Sequence, residues 1–184
     1  DGILYLKKID DVEWVVFNEF FNSKITKEIL QFLSKYKRIK FGSNCNQQFD
    51  TSIDYLDPYK SPVLPNSITD IEFGANFNQP ISKKLLPKSL KTLILGKNFD
   101  QVIHSLPSTL TYLEFYGYFN RPIDNLPNSL TYLEFGEDFN QPLNNLPKSI
   151  TQVSIAYRFL VIASVIPNSI THLVFGSEFN QPVN

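Results

Sequence analysis

The sequence predicts a repeat solenoid in which about eight short strands form one parallel β-sheet. The dipeptide Leu-Pro recurs at residues 64, 86, 106, 126 and 146, with Ile-Pro at 166, so the spacing is 22 residues once and then 20. Each unit also holds a short β-type run, such as residues 133–135, which is soon followed by Phe-Asn or a variant of it. A motif that recurs at a fixed period of this length is the signature of a stacked-repeat architecture.

Each unit is expected to be one strand followed by corners and extended connectors. Leu133 and Phe135 alternate with polar residues, which is the period-two pattern of a strand with one buried face. Proline excludes a helix across the unit, and Gly136 is expected to permit a turn with positive φ. One coil alone buries too little apolar surface to offset the entropy of ordering it, so the coils must stack. At about 4.8 Å per strand, eight coils make a rod or arc about 40 Å long.

Residues 1–63 are expected to hold two degenerate units and a short helix that closes the N-terminal end. Apolar residues recur at helical spacing over about residues 26–37, and Thr26 is a suitable N-cap. Residues 64–184 hold the six regular units, and the length of 184 residues favours one continuous domain. The degenerate units are recognised at 15–17 with Phe21-Asn22 and at 39–41 with Cys45-Asn46.

The Phe-Asn pair of each unit is a candidate structural element. Its Phe is expected to lie in single file along the interior, with Cys45 as a small buried substitute. Its Asn, stacked at one position of successive coils, could bond the backbone of the next coil, because a buried amide requires a partner. The alternative is a surface Asn that favours a turn. The proposed ladder comprises Asn22, Asn46, Asn78, Asn120, Asn140 and Asn180, and the file comprises Phe77, Phe99, Phe119, Phe139 and Phe179.

One face of the sheet is the candidate partner-binding surface. Side chains one and three positions before the anchoring Phe of each strand point away from the core. Tyrosine is favoured at interaction hot spots, and Glu114 beside Glu134 is expected to cost a little stability through repulsion. Such a strip suits a basic or mixed protein partner; the alternative is that Tyr and Glu merely tolerate solvent. The predicted face comprises Asp70, Glu72, Tyr112, Glu114, Tyr132, Glu134 and His172.

Two further regions are candidates for association. In one unit, apolar residues replace Asn-Gln-Pro, which indicates either local repacking or an exposed apolar ridge at Val161 and Ile162. Repeat arrays need capped ends, and no candidate cap follows the last unit. We therefore expect either that more chain follows Asn184 or that the last coil contacts another copy, which would give a homodimer through the C-terminal end.

Composition argues against several other classes of protein. The net charge is −1, whereas a nucleic-acid-binding protein is expected to have a basic face. No apolar run is long enough for a membrane span and no secretory signal begins the chain, so we expect an intracellular, cytoplasmic protein. His104 and His172 lack metal-ligand spacing and no phosphate loop is present, so no metal or cofactor is expected. Ser and Thr recur in every unit, which is typical of architecture and not of an enzyme.

Several units share the signature Phe-Asn-x-Pro, which appears at 77–80, 119–122, 139–142 and 179–182, together with Leu-Pro-x-Ser-Leu/Ile-Thr at 126–131 and 166–171. At these residues the sequence resembles the FNIP repeat family. The resemblance implies a leucine-rich-repeat-like solenoid, from a family abundant in social amoebae and in giant viruses that infect amoebae.

Viral members of this family often carry an F-box before the repeats. The resemblance therefore implies substrate recognition for an F-box/cullin ubiquitin ligase, in the host cytoplasm if the protein is viral. Residues 1–50 show no clear F-box. The alternative is a structural or self-associating solenoid without an external substrate.

Overall fold

The strands of this protein form one sheet whose spatial order follows the chain. The computed structural model describes residues 4–9, 12–23, 25–47, 64–81, 84–155 and 167–179. Within these ranges the sheet has nine strands, and one helix, α1 (Lys27–Leu33), lies between the second and third. The strands are β1 (Leu4–Ile9), β2 (Val12–Phe17), β3 (Arg38–Lys40), β4 (Asp70–Glu72), β5 (Thr92–Leu95), β6 (Tyr112–Phe115), β7 (Tyr132–Phe135), β8 (Gln152–Ile155) and β9 (His172–Phe175).

The predicted parallel stack is confirmed from β2 to β9. Each strand pairs in parallel with the next, and equivalent residues of successive units are opposite one another, as Leu93 is to Leu113 and Leu113 is to Leu133. Strand β1 was not predicted, and it pairs antiparallel with β2. The two β-type runs are separated only by Asp10-Asp11, and so short a connection suits an antiparallel hairpin. The sheet therefore has nine strands instead of about eight.

Helix α1 is shorter than the predicted range of about 26–37. Thr26 is the N-cap, as predicted, and its side chain accepts a hydrogen bond from the backbone N–H of Ile29 at 3.5 Å. The helix ends at Leu33 because the chain turns before β3 begins, with the N–H of Tyr36 bonded to the carbonyl of Leu33. Tyr36 still packs against the core from this turn, which explains why helical spacing overestimated the length.

The interior contains aromatic side chains stacked from coil to coil. Phe77, Phe99, Phe119 and Phe139 follow one another with ring centroids 6.1, 6.1 and 6.2 Å apart, which confirms the predicted file for these four. The last member, Phe179, is half-buried. A second column, formed by the strand-end residues, runs beside the first, with Phe17–Phe41 at 4.7 Å, Phe41–Phe73 at 5.1 Å and Phe115–Phe135 at 5.6 Å.

Cys45 occupies the position of the Phe in its coil. It is 1% exposed and free, as expected of a small core residue. Burial raises the pKa of its thiol, so the side chain stays protonated at neutral pH. A protonated, buried thiol is a poor nucleophile, so we assign the Cys45 side chain a structural role in the stack.

The glycine that follows most of the strands is needed because successive coils approach closely. A Cβ on Gly96 would lie 2.0 Å from the carbonyl oxygen of Gly74, and one on Gly136 would lie 2.1 Å from the nitrogen of Gly117. Among the described glycines, only Gly117 has a positive φ, of 67°. The prediction that Gly136 serves a positive φ is therefore wrong. It provides space for the neighbouring backbone.

The Asn of Phe-Asn forms a hydrogen-bonded ladder along the surface. In each step the side-chain oxygen accepts the backbone N–H of the equivalent residue in the next coil, which is the bonding that stacking predicts. These side chains are exposed or half-buried, however, so the ladder is not in the interior. Asn180 lies outside the described residues. The bonds join Asn22 Oδ1 to Asn46 N (3.0 Å), Asn46 Oδ1 to Asn78 N (2.9 Å), Asn78 Oδ1 to Asp100 N (3.0 Å) and Asn120 Oδ1 to Asn140 N (3.0 Å).

The Gln of Phe-Asn-Gln-Pro completes the same ladder. Its Nε2 donates to the Oδ1 of the preceding coil's Asn, so one amide oxygen accepts two bonds. The sequence showed the recurrence of Gln but not this role. The bonds join Gln79 to Asn46 (3.0 Å), Gln101 to Asn78 (2.9 Å) and Gln141 to Asn120 (2.9 Å).

One step of the ladder uses charged residues. Asp100 stands in place of Asn, and its Oδ1 accepts the N–H of Asn120 at 3.1 Å. In the next coil Arg121 stands in place of Gln, and its guanidinium donates to Asp100 Oδ2 at 2.7 Å. The acid and the base have therefore replaced the two amides together, and the contact between the coils is kept.

The paired replacement of Asp100→Asn and Arg121→Gln should restore the amide step used elsewhere and leave the free energy of unfolding nearly unchanged. Each single replacement removes the ion pair without restoring the amide pair, and should cost roughly 0.2–1 kcal/mol because both side chains are partly exposed. A double-mutant cycle from urea unfolding measures the coupling. Additive effects of the two changes would show that the pair does not act as a unit.

Candidate docking face

Two rows of side chains run across the outward face of the sheet. They arise because equivalent residues of neighbouring strands are directly opposite one another, so the same position of each unit lines up. All seven residues of the predicted binding face lie in these rows. The first row is Arg38, Asp70, Thr92, Tyr112, Tyr132, Gln152 and His172, and the second is Lys40, Glu72, Ile94, Glu114, Glu134, Ser154 and Val174.

The predicted face is divided into three parts. Asp70 and Glu72 on β4 are separated from the residues of β6 by strand β5, and His172 on β9 is separated from β7 by strand β8. Each gap is two strand spacings, or about 10 Å. The structure therefore brings together the Tyr and Glu residues of β6 and β7 and leaves Asp70, Glu72 and His172 on either side.

The acidic residues of β4 are already paired with cations of β3. Arg38 Nε lies 3.3 Å from Asp70 Oδ2, and Lys40 Nζ lies 2.5 Å from Glu72 Oε1. Within the part of the chain that the structure describes, neither Glu114 nor Glu134 makes an ion pair of this kind. The unneutralised acidic charge of the face is thus concentrated on β6 and β7.

Tyrosine hydroxyls bind these two carboxylates. The rings of Tyr112 and Tyr132 stack at 4.4 Å with planes 5° apart. The Tyr112 hydroxyl donates to Glu114 Oε2 at 2.7 Å, and that of Tyr132 donates to Glu134 Oε2 at 2.6 Å. Each strand thus supplies a carboxylate and its own hydrogen-bond donor two residues earlier, which stabilises two like charges on adjacent strands.

Tyr116 belongs to the same cluster, and the sequence prediction did not include it. It is 49% exposed, and its pKa is raised by partial burial and by the nearby Glu114 carboxylate, which is only 6% exposed. A signal was available: residues 115–119 read Phe-Tyr-Gly-Tyr-Phe, whereas residues 135–139 read Phe-Gly-Glu-Asp-Phe. Tyr116 therefore replaces the glycine of other coils. Below, the tyrosine–glutamate patch means Tyr112, Glu114, Tyr116, Tyr132 and Glu134.

A groove runs along the C-terminal ends of strands β2 to β7. Its volume is about 510 Å³, and glycines such as Gly74 and Gly96 line it beside the charged residues Lys97 and Glu137. Tyr116 is one of the lining residues, so this terminal groove is continuous with the tyrosine–glutamate patch.

Other kinds of site find no support in the part of the chain described. No group of three or more His, Cys, Asp or Glu residues is placed there to hold a metal ion. The recurring hydroxyls bond neighbouring coils, as Thr131 Oγ1 does to the carbonyl of Thr111 at 3.1 Å. None of the helices described is long and apolar enough to cross a membrane. Val161 and Ile162, the predicted apolar ridge, lie outside the described residues.

Coils with one parallel strand each, stacked on a shared core, define a solenoid of the leucine-rich-repeat-like class. The family model for the FNIP Repeat matches residues 55–98, 77–118, 99–138, 119–157 and 162–184, so the chain belongs to the FNIP repeat family. The resemblance seen in the sequence is thereby confirmed.

A solved structure supports the same class. The crystal structure of CroV588, a protein of the giant virus CroV described as a novel circular LRR protein, matches with 44% identity and a TM-score of 0.74. The match covers 90% of this chain and 24% of that one, so this chain spans about a quarter of the length of that relative. No curated protein matches significantly.

Replacing Glu134 by Gln should lower the pKa of Tyr132 from about 12 towards its ordinary value of 10.0, since the hydrogen bond to the Glu134 carboxylate is the largest cause of the rise and burial is the next. The neutral phenol of Tyr132 is the donor in the hydrogen bond to Glu134. Between pH 10 and 12 the folded state keeps a proton that the unfolded state has lost, so stability falls as pH rises through this window.

We would follow the phenolate absorbance against pH for wild type, Glu134→Gln and Tyr132→Phe. The differences between these curves separate the titration of Tyr132 from that of the other tyrosines. Glu137→Gln, an exposed acid that makes no bond to Tyr132, is the control. Titration curves that coincide for wild type and Glu134→Gln would contradict the assignment.

Proposed function

We propose that this protein is a non-enzymatic protein-interaction domain whose partner docks on the outward sheet face, centred on the tyrosine–glutamate patch. The observation that carries the proposal is a cluster of partly exposed tyrosines around carboxylates without ion pairs, which among the strands described occurs on β6 and β7 alone. Residues that recur in every coil serve stacking, whereas this cluster does not recur. Repeat solenoids present such extended surfaces to their partners.

The energetics of the patch favour binding over simple tolerance of solvent. Tyrosine supplies large contact area with few rotatable bonds and is enriched among residues that dominate binding energy. The Tyr112–Tyr132 stack holds both rings in place before a partner arrives, so little side-chain entropy is lost on binding.

The double replacement Tyr112→Ala/Tyr132→Ala should reduce partner capture more than tenfold, since a hot-spot side chain contributes about 2 kcal/mol or more. Immobilised protein is incubated with extract of host cells, and bound proteins are quantified by mass spectrometry. Losing the stack should cost about 0.5–1.5 kcal/mol beyond the lost burial, and Glu114 also loses a hydrogen bond, so melting curves must verify that the double variant is folded.

Phe20→Ala is the matched control, because Phe20 is an aromatic residue that is 73% exposed and follows β2, which is four strands away from β6 in the sheet. Proteins captured equally by wild type, the double variant and the control would refute the docking face. A protein lost only with the double variant, and cross-linked near β6 or β7, supports it.

The ubiquitin-ligase role that the family resemblance implies is a more specific proposal than partner binding alone. It requires that a captured partner be a ligase substrate and that the gene product also recruit a cullin. Coprecipitation of a cullin with the full gene product tests it independently of the face.

A second candidate function is self-association through the C-terminal coil. The observation in its favour is the exposure of apolar residues there: Val174 is 58% exposed, and Leu173, Phe175 and Phe179 are only half-buried, unlike their equivalents in the middle of the stack. A second copy could cover them, giving a homodimer through this end.

Sedimentation equilibrium of residues 1–184 should then show a concentration-dependent dimer that Val174→Lys shifts to monomer, because a charge would be buried in the interface. The control Glu13→Gln, on exposed β2 surface, should leave the equilibrium unchanged. A strictly monomeric species at high concentration would exclude this candidate.

A further inference from the structure

The charge of the tyrosine–glutamate patch indicates the kind of partner that it fits. Asp70, Glu72 and Asp100 each contact a cationic side chain of this protein. Glu114 and Glu134 contact tyrosine hydroxyls instead. The chain as a whole has a net charge of only −1, so strong attraction for a cation requires a local concentration of acidic groups, which this patch provides on its face of the sheet.

The terminal groove extends the patch in a direction that an extended peptide could follow. Its lining runs from Phe17, at the end of β2, to Glu137, just after β7. Five strand spacings correspond to about 24 Å, which accommodates about seven residues of extended chain. Tyr116 lies on both surfaces, so a segment that contacts the tyrosine–glutamate patch can continue into the groove.

The coil that contains β6 departs from the repeat at the junction of these two surfaces. Tyr116 replaces a glycine, and Tyr118 takes the place held by Asn76 and Asn98 in the two preceding coils. Both tyrosines are about half exposed, at 49% and 46%. Lys97 Nζ lies 5.2 Å from the centroid of the Tyr118 ring, so an aromatic face of this coil already contacts a cation.

Building on the proposed interaction function, we propose that the tyrosine–glutamate patch and the terminal groove bind an extended segment of a partner protein that carries arginine or lysine. Its cationic side chains pair with Glu134, the more exposed carboxylate, while Glu114 adds its negative charge from beneath the tyrosines. The segment continues past Tyr116 along the groove. A second copy of this chain fits less well, because Arg38 and Lys40, the cations of its own sheet face, are already paired.

Fluorescence anisotropy with labelled heptapeptides tests this proposal directly. The basic probe alternates Arg with Ser, and the matched acidic probe has Glu in place of each Arg. The basic probe should bind wild type and the acidic probe should not. Glu114→Gln/Glu134→Gln, which keeps side-chain shape and removes both charges, should weaken binding at least tenfold. Tyr116→Gly, which restores the residue used in other coils, should weaken it several-fold.

Glu13→Gln removes one exposed carboxylate elsewhere on the surface and serves as the control. Raising salt should weaken binding to wild type more than binding to the double glutamine variant, because surface charges are screened. If the double variant is unstable, Glu134→Gln alone, at the more exposed carboxylate, should still weaken binding measurably. Equal binding by wild type and the glutamine variants, or no binding of the basic probe to wild type, would overturn the proposal.

This result can be separated from a failure of the interaction function itself. If the probe does not bind but Tyr112→Ala/Tyr132→Ala still abolishes partner capture, the docking face stands and the basic ligand class is wrong. If neither the probe nor any partner depends on the patch, both proposals are wrong.

Discussion

The separation of successive coils is the constraint on which the rest of the structure depends. Neighbouring strands of a sheet lie about 4.8 Å apart, so every residue must fit the equivalent residues of the coils on either side. The centroids of the Phe file lie 6.1–6.2 Å apart, a nearly constant step that is wider than the strand spacing. After β5 the spacing leaves no room for a Cβ, because a Cβ on Gly96 would lie 2.0 Å from the carbonyl oxygen of Gly74. Side-chain choice in one coil is therefore decided largely by its neighbours.

The same constraint explains the chemistry of the repeat signature. The Asn oxygen lies where it can accept both a backbone N–H and the Gln amide of the next coil, so the two residues recur together. The Asp100–Arg121 step satisfies that requirement with a different pair of groups. A change at one coil is accommodated by a change in the coil it contacts, as expected when stability is a sum of nearest-neighbour terms.

Much of this architecture could be predicted from the sequence, because a period of 20 residues aligns the same residue type in every coil. The parallel strands, the Phe file and the bonding of the Asn ladder all follow from repetition, whereas the Thr26 cap was predicted from helical spacing. Features of the structure that repetition does not reveal were not predicted. Strand β1 belongs to no repeat, the glycines serve a contact between coils that no single unit reveals, and the Asn ladder is at the surface instead of inside. For the candidate docking face, the sequence predicted which side chains lie on one face of the sheet. Their division into three parts depends on the strand order.

Tyr116 shows what a departure from the repeat pattern can reveal about a repeat protein. Agreement among units reveals what stacking requires, and a departure from that agreement needs another cause. At Tyr116 the departure places an exposed ring where every neighbouring coil keeps glycine, and it does so beside a carboxylate that is almost fully buried without a cation. Burying such a charge is unfavourable unless hydrogen bonds or a counter-charge offset it, and the Tyr112 hydroxyl supplies only a hydrogen bond. A nearest-neighbour stack can accommodate this local cost because the other coils retain their own contacts, so a binding surface can arise in two coils while the remaining coils maintain the fold.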